Sequence, residues 1–140
     1  MNNLAHHGQR DGFDTFLVDR IAASDRFIAG DADPLKAVSS HLDPATIFPP
    51  SGAQVVGAAA VDAANAQGAA GFEPGGTNEF VTIHQGSSGE LAYWVGTQRS
   101  TVRVKGVPDA VPMTLRLTEL YRRENGSWKL FHRHADSAAG

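Results

Sequence analysis

Near its C-terminal end the chain carries a carboxylate and two imidazoles at spacings that a tight hairpin would bring together. Asn125-Gly126 is a strong type I′ turn signal between two runs of strand-forming residues. With those two residues as the whole loop, Glu124 closes against Ser127. Counting back sets Arg123 against Trp128, Tyr121 against Leu130, Glu119 against His132 and Leu117 against His134. Side chains alternate across a strand, so Met113, Leu115, Leu117, Glu119 and Tyr121 share one face with Trp128, Leu130, His132 and His134. That face is mostly apolar and is expected to turn towards the helices. The opposite face, with Thr114, Arg116, Thr118, Arg122, Lys129 and Arg133, is more polar and cationic.

Glu119 and His132 are then an opposed carboxylate and imidazole within side-chain reach. A carboxylate beside a histidine orients the ring and favours its protonated form, which suits general acid–base catalysis near neutral pH. Three readings are open for the pair: a catalytic couple, a ligand-binding couple, or a buried ion pair that only satisfies two polar groups. A bulge near Thr118–Glu119 would shift the register and undo the pairing. His132 and His134 also form a His-x-His pair that His84 could complete as a zinc site, but the spacing is common and no further acidic or histidine motif fixes it, so no metal is expected. In the long run around residues 90–104, Leu91, Tyr93, Val95, Thr97 and Arg99 share a face opposite Ala92, Trp94, Gly96 and Gln98. Tyr93 is read as core, with a hydroxyl able to donate into a pocket, and Trp94, Leu120 and Phe131 as apolar members of an outer, dimer-forming face.

These residues need elements to hold them. Phe13, Phe16, Leu17, Arg20, Ile21, Ser24, Phe27 and Ile28 fall at helical steps on one stripe between Gly12 and Gly30. Phe16, Leu17, Ile21, Phe27 and Ile28 are expected to meet the sheet. Asp33-Pro34 starts a short second helix that Asp43-Pro44 ends. Ala45–Phe48 and Gln54–Val56 read as short strands about a Pro49-Pro50-Ser51-Gly52 turn, and 57–72 as an alanine-rich helix. A loop at Glu73-Pro74-Gly75-Gly76 precedes a strand at Phe80–His84, a turn at Gly86–Gly89, and three longer strands. Helices first and long strands last indicate an α+β fold, with helices packed on one face of a curved antiparallel sheet.

Composition narrows the function classes. The chain has 140 residues, enough for one domain, with 41% hydrophobic and 19% charged residues. Its formal charge of −3 offers no basic surface for nucleic acid. The absence of cysteine excludes disulfides, thiolate metal sites and cysteine nucleophiles. No stretch is long and apolar enough to span a membrane and no targeting pattern is visible, so a cytoplasmic location is expected. Residues 1–10, including His6 and His7, read as a flexible leader, 11–136 as a single domain, and 137–140 as a loose tail.

The order of elements and the ending Arg123-Glu124-Asn125-Gly126-Ser127-Trp128, then His132-Arg133-His134, resemble the nuclear-transport-factor-2-like superfamily. The likeness extends over residues 11–136 and is strongest to its SnoaL-like polyketide-cyclase branch, near the ketosteroid isomerases, and to the calcium/calmodulin-dependent kinase II association domains. The resemblance implies a cone-shaped, cystatin-like α+β barrel with a small-molecule pocket, and a homodimer. The isomerase aspartates correspond to places near Pro49 and Thr118, so ketosteroid isomerisation is not implied. The pocket arginines of the association domains correspond to Val95 and Glu119. Two functions follow as expectations. One is a cofactor-free isomerase, cyclase or dehydratase with His132 and Glu119 as catalytic groups and Tyr93, Val95, His84, Leu117, Tyr121 and His134 around a small organic ligand. The other is a non-catalytic ligand-binding or assembly domain. Neither nucleic acid nor membrane is an expected partner.

Overall fold

Apolar residues at helical spacing wind Phe13–Phe27 into the first helix, α1, entered through Gly12 in a left-handed conformation at φ 73°. In this computed structural model residues 12–138 are described; the expected leader with His6 and His7, and residues 139–140 of the expected tail, lie outside them. A short helix, α2 (Asp33–Val38), follows with Pro34 in its first turn. Next come β1 (Thr46–Phe48), β2 (Val55–Val56) and the alanine-rich α3 (Ala58–Ala70), whose first amide donates to Asp43 Oδ1 at 2.7 Å. Four long strands complete the chain: β3 (Phe72–Ser88), β4 (Leu91–Val104), β5 (Val111–Glu124) and β6 (Ser127–Ser137).

The strands form one sheet in the order β2-β1-β6-β5-β4-β3, antiparallel except where β1 runs parallel to β6. The fold is α+β, and the sheet is curved but does not close into a barrel. Two expected breaks are absent. The Glu73–Gly76 segment is an irregular part of β3, where pairing with β4 slips between Glu73 and Thr77, and a side chain at Gly76 would collide with the Thr101 carbonyl. The turn after β3 is only Gly89-Glu90, since Ser88 already pairs with Leu91. At the other end Ser137, read as tail, pairs with Leu115.

The core lies between α1, α2 and the concave face of the sheet. Phe13, Leu17, Ala23 and Leu35 pack against Ala92, Trp94, Leu115, Leu117, Tyr121, Trp128 and Leu130. On α1 the fully buried line is Phe13, Leu17, Arg20, Ala23 and Ser24, while the expected core residues Phe16, Ile21 and Phe27 are half-buried beside it. The stripe therefore sits slightly off the apolar maximum, centred on a guanidinium and a hydroxyl. On β4 the inward set is Ala92, Trp94, Gly96, Gln98 and Ser100, so Tyr93 is not core: it is 37% exposed on the outer face. Trp94 is fully buried, contrary to its expected place on the outer surface. Its indole N–H donates to Thr82 Oγ1, and its ring lies across Gly96, where no Cβ would fit. The outer face carries Ile83, Leu91 and Tyr93 instead.

Candidate functional site

The Asn125-Gly126 turn forms as its sequence dictates, with both residues at positive φ (51° and 82°), and the expected register holds from Glu124↔Ser127 to Tyr121↔Leu130. It then slips by one. Leu120 pairs with His132, Glu119 with Arg133, Thr118 with His134 and Leu117 with Ala135, leaving Phe131 as an unpaired bulge residue. The bulge lies on β6, across from Leu120–Tyr121 and not at the Thr118–Glu119 position where sequence suggested one. Beyond it the alternation of β6 is inverted: Arg133 and Ala135 join Trp128 and Leu130 on the concave face, and His132 and His134 turn outwards.

The Glu119–His132 partnership is thereby replaced. Glu119 is completely buried and accepts four hydrogen bonds. Arg20 donates from Nε to Oε1 at 2.9 Å and from Nη2 to Oε2 at 2.6 Å. Tyr121 Oη donates to Oε1 at 2.7 Å, and Arg133 Nη1 to Oε2 at 2.7 Å. Burial pushes the carboxyl up, but the two guanidiniums and the hydrogen bonds from Arg20 and Tyr121 outweigh it and hold Glu119 at about 2. Burial and the adjacent carboxylate push the Tyr121 hydroxyl up, so it remains a donor. Burial disfavours charge on both guanidiniums. Glu119 more than compensates at Arg20 but not at Arg133, which Arg20 also repels.

This cluster forms the polar end of a cavity of about 260 Å³ enclosed by α1, α3, β1 and the concave face. Arg133 Nη2 donates to Gln98 Oε1 at 3.0 Å, and Gln98 Nε2 donates to Ser24 Oγ at 3.2 Å and Asn78 Oδ1 at 3.0 Å. Asn65 is the polar group contributed by α3. Met113, Leu115, Ile47 and Phe27 are among the apolar walls. Arg20, Asn65, Gln98 and Arg133 are the polar cavity residues that sequence reasoning did not assign to a site. The available signal was Arg20 and Ser24 lying one turn apart within an otherwise apolar helical stripe.

The expected site residues are placed as follows. Leu117 and Tyr121 are buried in the core, and neither lines the cavity. Tyr93 and His84 meet on the outer face, where Tyr93 Oη and His84 Nδ1 are 3.2 Å apart. Val95 and His134 border a shallow outer depression. His132 lies beside a void of about 20 Å³, the room of one water, and its Nδ1 shares a 2.7 Å hydrogen bond with Thr46 Oγ1. Phe48 stands edge-on to His132 and His134, at 5.1 and 5.5 Å between ring centres. Among the described residues no group of three or more histidine, aspartate or glutamate side chains is placed to hold a metal ion. No helix among them is long and apolar enough to cross a membrane.

No family model and no curated relative matches the sequence. Solved structures do match the fold. A protein assigned as a calcium/calmodulin-dependent protein kinase type II association domain, from Thiobacillus denitrificans, has a TM-score of 0.71 at 21% identity, covering 90% of this chain and 94% of the other. A protein assigned as a dehydratase of the nuclear-transport-factor-2-like family, from Streptomyces avermitilis, has a TM-score of 0.76 at 18% identity, covering 94% and 99%. A ketosteroid isomerase-like protein from Erwinia carotovora atroseptica has a TM-score of 0.71 at 15% identity, covering 91% and 94%. At these identities the likeness is one of fold, and the chain has the nuclear-transport-factor-2-like fold, as its C-terminal motif implied.

The new surroundings of His132 reverse its expected titration. Burial lowers its pKa, His134 lowers it further, and Glu119 only partly restores it. NMR titration is expected to place His132 below the ordinary histidine value of 6.5, with His134→Gln raising the midpoint. The unfolded chain binds the proton more readily, so stability from the neutral ring is complete above 6.5 and declines as pH falls through that value. A midpoint above 6.5 would contradict this environment.

Proposed function

We propose that the protein binds a compact organic molecule, with a mainly apolar body and one polar end, in the cavity between its helices and sheet. The observation that carries this is the cavity itself: about 260 Å³, apolar along most of its wall, with Arg20, Arg133 and Gln98 at one end. That volume lies just below the ~300–1,000 Å³ of sites that take drug-sized ligands, so a small ligand fits. The reading favours recognition over proton transfer. Glu119 has its oxygens occupied by four hydrogen bonds from three residues, and His132 turns away from the cavity. The isomerase, cyclase or dehydratase alternative draws on the names of fold neighbours, but its proposed acid–base couple has no contact to work through.

A neutral apolar dye, N-phenyl-1-naphthylamine, tests the cavity. Its fluorescence is expected to rise saturably at one dye per chain, and Ala64→Trp, which fills the space from α3, is expected to abolish the rise while leaving the circular dichroism unchanged. Equal enhancement by both proteins would remove the cavity as the site.

We also propose a second copy of the chain as partner, through the outer face of the sheet. Ile83, Leu91 and Tyr93 are 68%, 58% and 37% exposed there, an apolar surface that pairing would cover. Sedimentation at micromolar concentration is expected to give twice the chain mass. A species of single-chain mass alone would contradict the pairing.

A further inference from the structure

Counting charge at the closed end of the cavity leaves a surplus. Arg20 and Arg133 bring two positive charges, and among the described residues Glu119 is the only acidic side chain bonded to either of them. Arginine does not discharge in proteins, and Glu119, held at about 2, stays ionised at neutral pH. Two cations against one anion leave a net charge of one, in a place where Arg20 is only 2% exposed and Arg133 19%. Neighbouring polar groups do not supply the balance. Gln98, Ser24, Asn78 and Asn65 are neutral, and Asp25, which accepts from Asn78, is exposed on the outer side of α1. An uncompensated buried charge is costly, and the usual remedies are a partner or a coordinated ion.

The hydrogen bonding leaves one nitrogen of the cluster without a partner. Arg20 grips Glu119 side-on through Nε and Nη2. Its Nη1 therefore lies on the far side of the guanidinium from the carboxylate. Among the described residues, Arg20 Nη1 is the one buried side-chain nitrogen or oxygen with no hydrogen-bond partner. Buried polar groups in native proteins almost always have one. Arg20 lines the cavity, as does Arg133, whose Nη1 and Nη2 are already committed to Glu119 and Gln98. The Phe80 ring lies against the guanidinium, its centre 5.4 Å from Arg20 Cζ.

Resting on the reading of the cavity as a ligand site, we propose that its ligand is a monoanion, a small carboxylic acid bound as its carboxylate at the Arg20–Arg133 end, with its apolar body against the Met113 and Leu115 walls. One negative charge neutralises the cluster. A dianion would leave the same imbalance with the opposite sign, and a neutral molecule would leave the surplus positive charge unbalanced. Charge-assisted bonds from guanidinium to carboxylate are among the stronger polar contacts, so the anion should dominate selectivity between ligands of equal shape.

Matched acid and amide pairs test this: benzoate with benzamide, phenylacetate with phenylacetamide, and 2-naphthoate with 2-naphthamide, each titrated calorimetrically at pH 7. At least one acid is expected to bind ten-fold or more tightly than its amide. Arg20→Gln is expected to remove that preference, bringing the ratio of acid to amide affinity to about one. As a check independent of any variant folding, ¹⁵N-arginine NMR of the wild-type protein should show the Arg20 Nη resonances shifting on adding the preferred acid and not its amide. Amides that bind as well as their acids would overturn the monoanion and leave the cavity reading intact. Failure of all six compounds to bind, together with failure of the neutral dye, would overturn both.

Discussion

One buried carboxylate organises this molecule. Glu119, at the centre of β5, ties α1 to the sheet through Arg20 and ties β6 into the same cluster through Arg133. Burying three charges is expensive, and what makes it tolerable is geometry: a side-on fork from Arg20, a third donor from Tyr121 and a fourth from Arg133. Breaking such a pair at one side typically costs ~3–5 kcal/mol, because the remaining charge is stranded. The aromatic set of Phe13, Phe16, Tyr121 and Trp128 packs beside the cluster with ring centres 5.3–6.4 Å apart and keeps water from it.

Much of this was legible in the residues. The type I′ turn at Asn125-Gly126 and the inward run Leu115, Leu117, Glu119 and Tyr121 stand in the structure as their periodicities require, and the stripe of α1 faces the sheet with its centre shifted to Arg20 and Ser24. The site was not legible, for a specific reason. A single bulge residue, Phe131, inverts every later side chain of β6. Parity counting places His132 and His134 inside and Arg133 outside; one extra residue exchanges them. Nothing in the composition around Phe131 marks the bulge, whose benefit is tertiary: it brings a second guanidinium to Glu119. The face of β4 was misjudged on similar grounds. Tyr93 and Trp94 are both plausible core residues, and the choice between them is made by Gly96, which leaves room inside for the Trp94 ring.

The association-domain resemblance pointed to pocket arginines at places occupied here by Val95 and Glu119. The cationic character of this cavity has a different origin, one arginine on the first helix and one on the last strand, with a glutamate between them. A charge-bearing pocket end has been assembled from other positions of the same fold, which is why fold likeness below 25% identity says little about what is bound. The same rearrangement removes the histidines from the interior, so chemistry built on His132 and Glu119 loses its shared space and the cavity is left with donors for an anion.

The ionisation of Glu119 is the point on which the account turns, and it is directly observable. Carbon-13 NMR of the Glu119 side-chain carboxyl, followed from pH 7 downwards, should show it ionised until the protein unfolds or pH nears 2, well below the ordinary value of 4.5. With the folded value below the unfolded one, stability from this carboxylate is complete above 4.5 and drains away as pH falls towards 2. A carboxyl that titrates at or above 4.5 in the folded protein would mean that the two guanidiniums do not share it, and the charge balance of the cavity would have to be drawn differently.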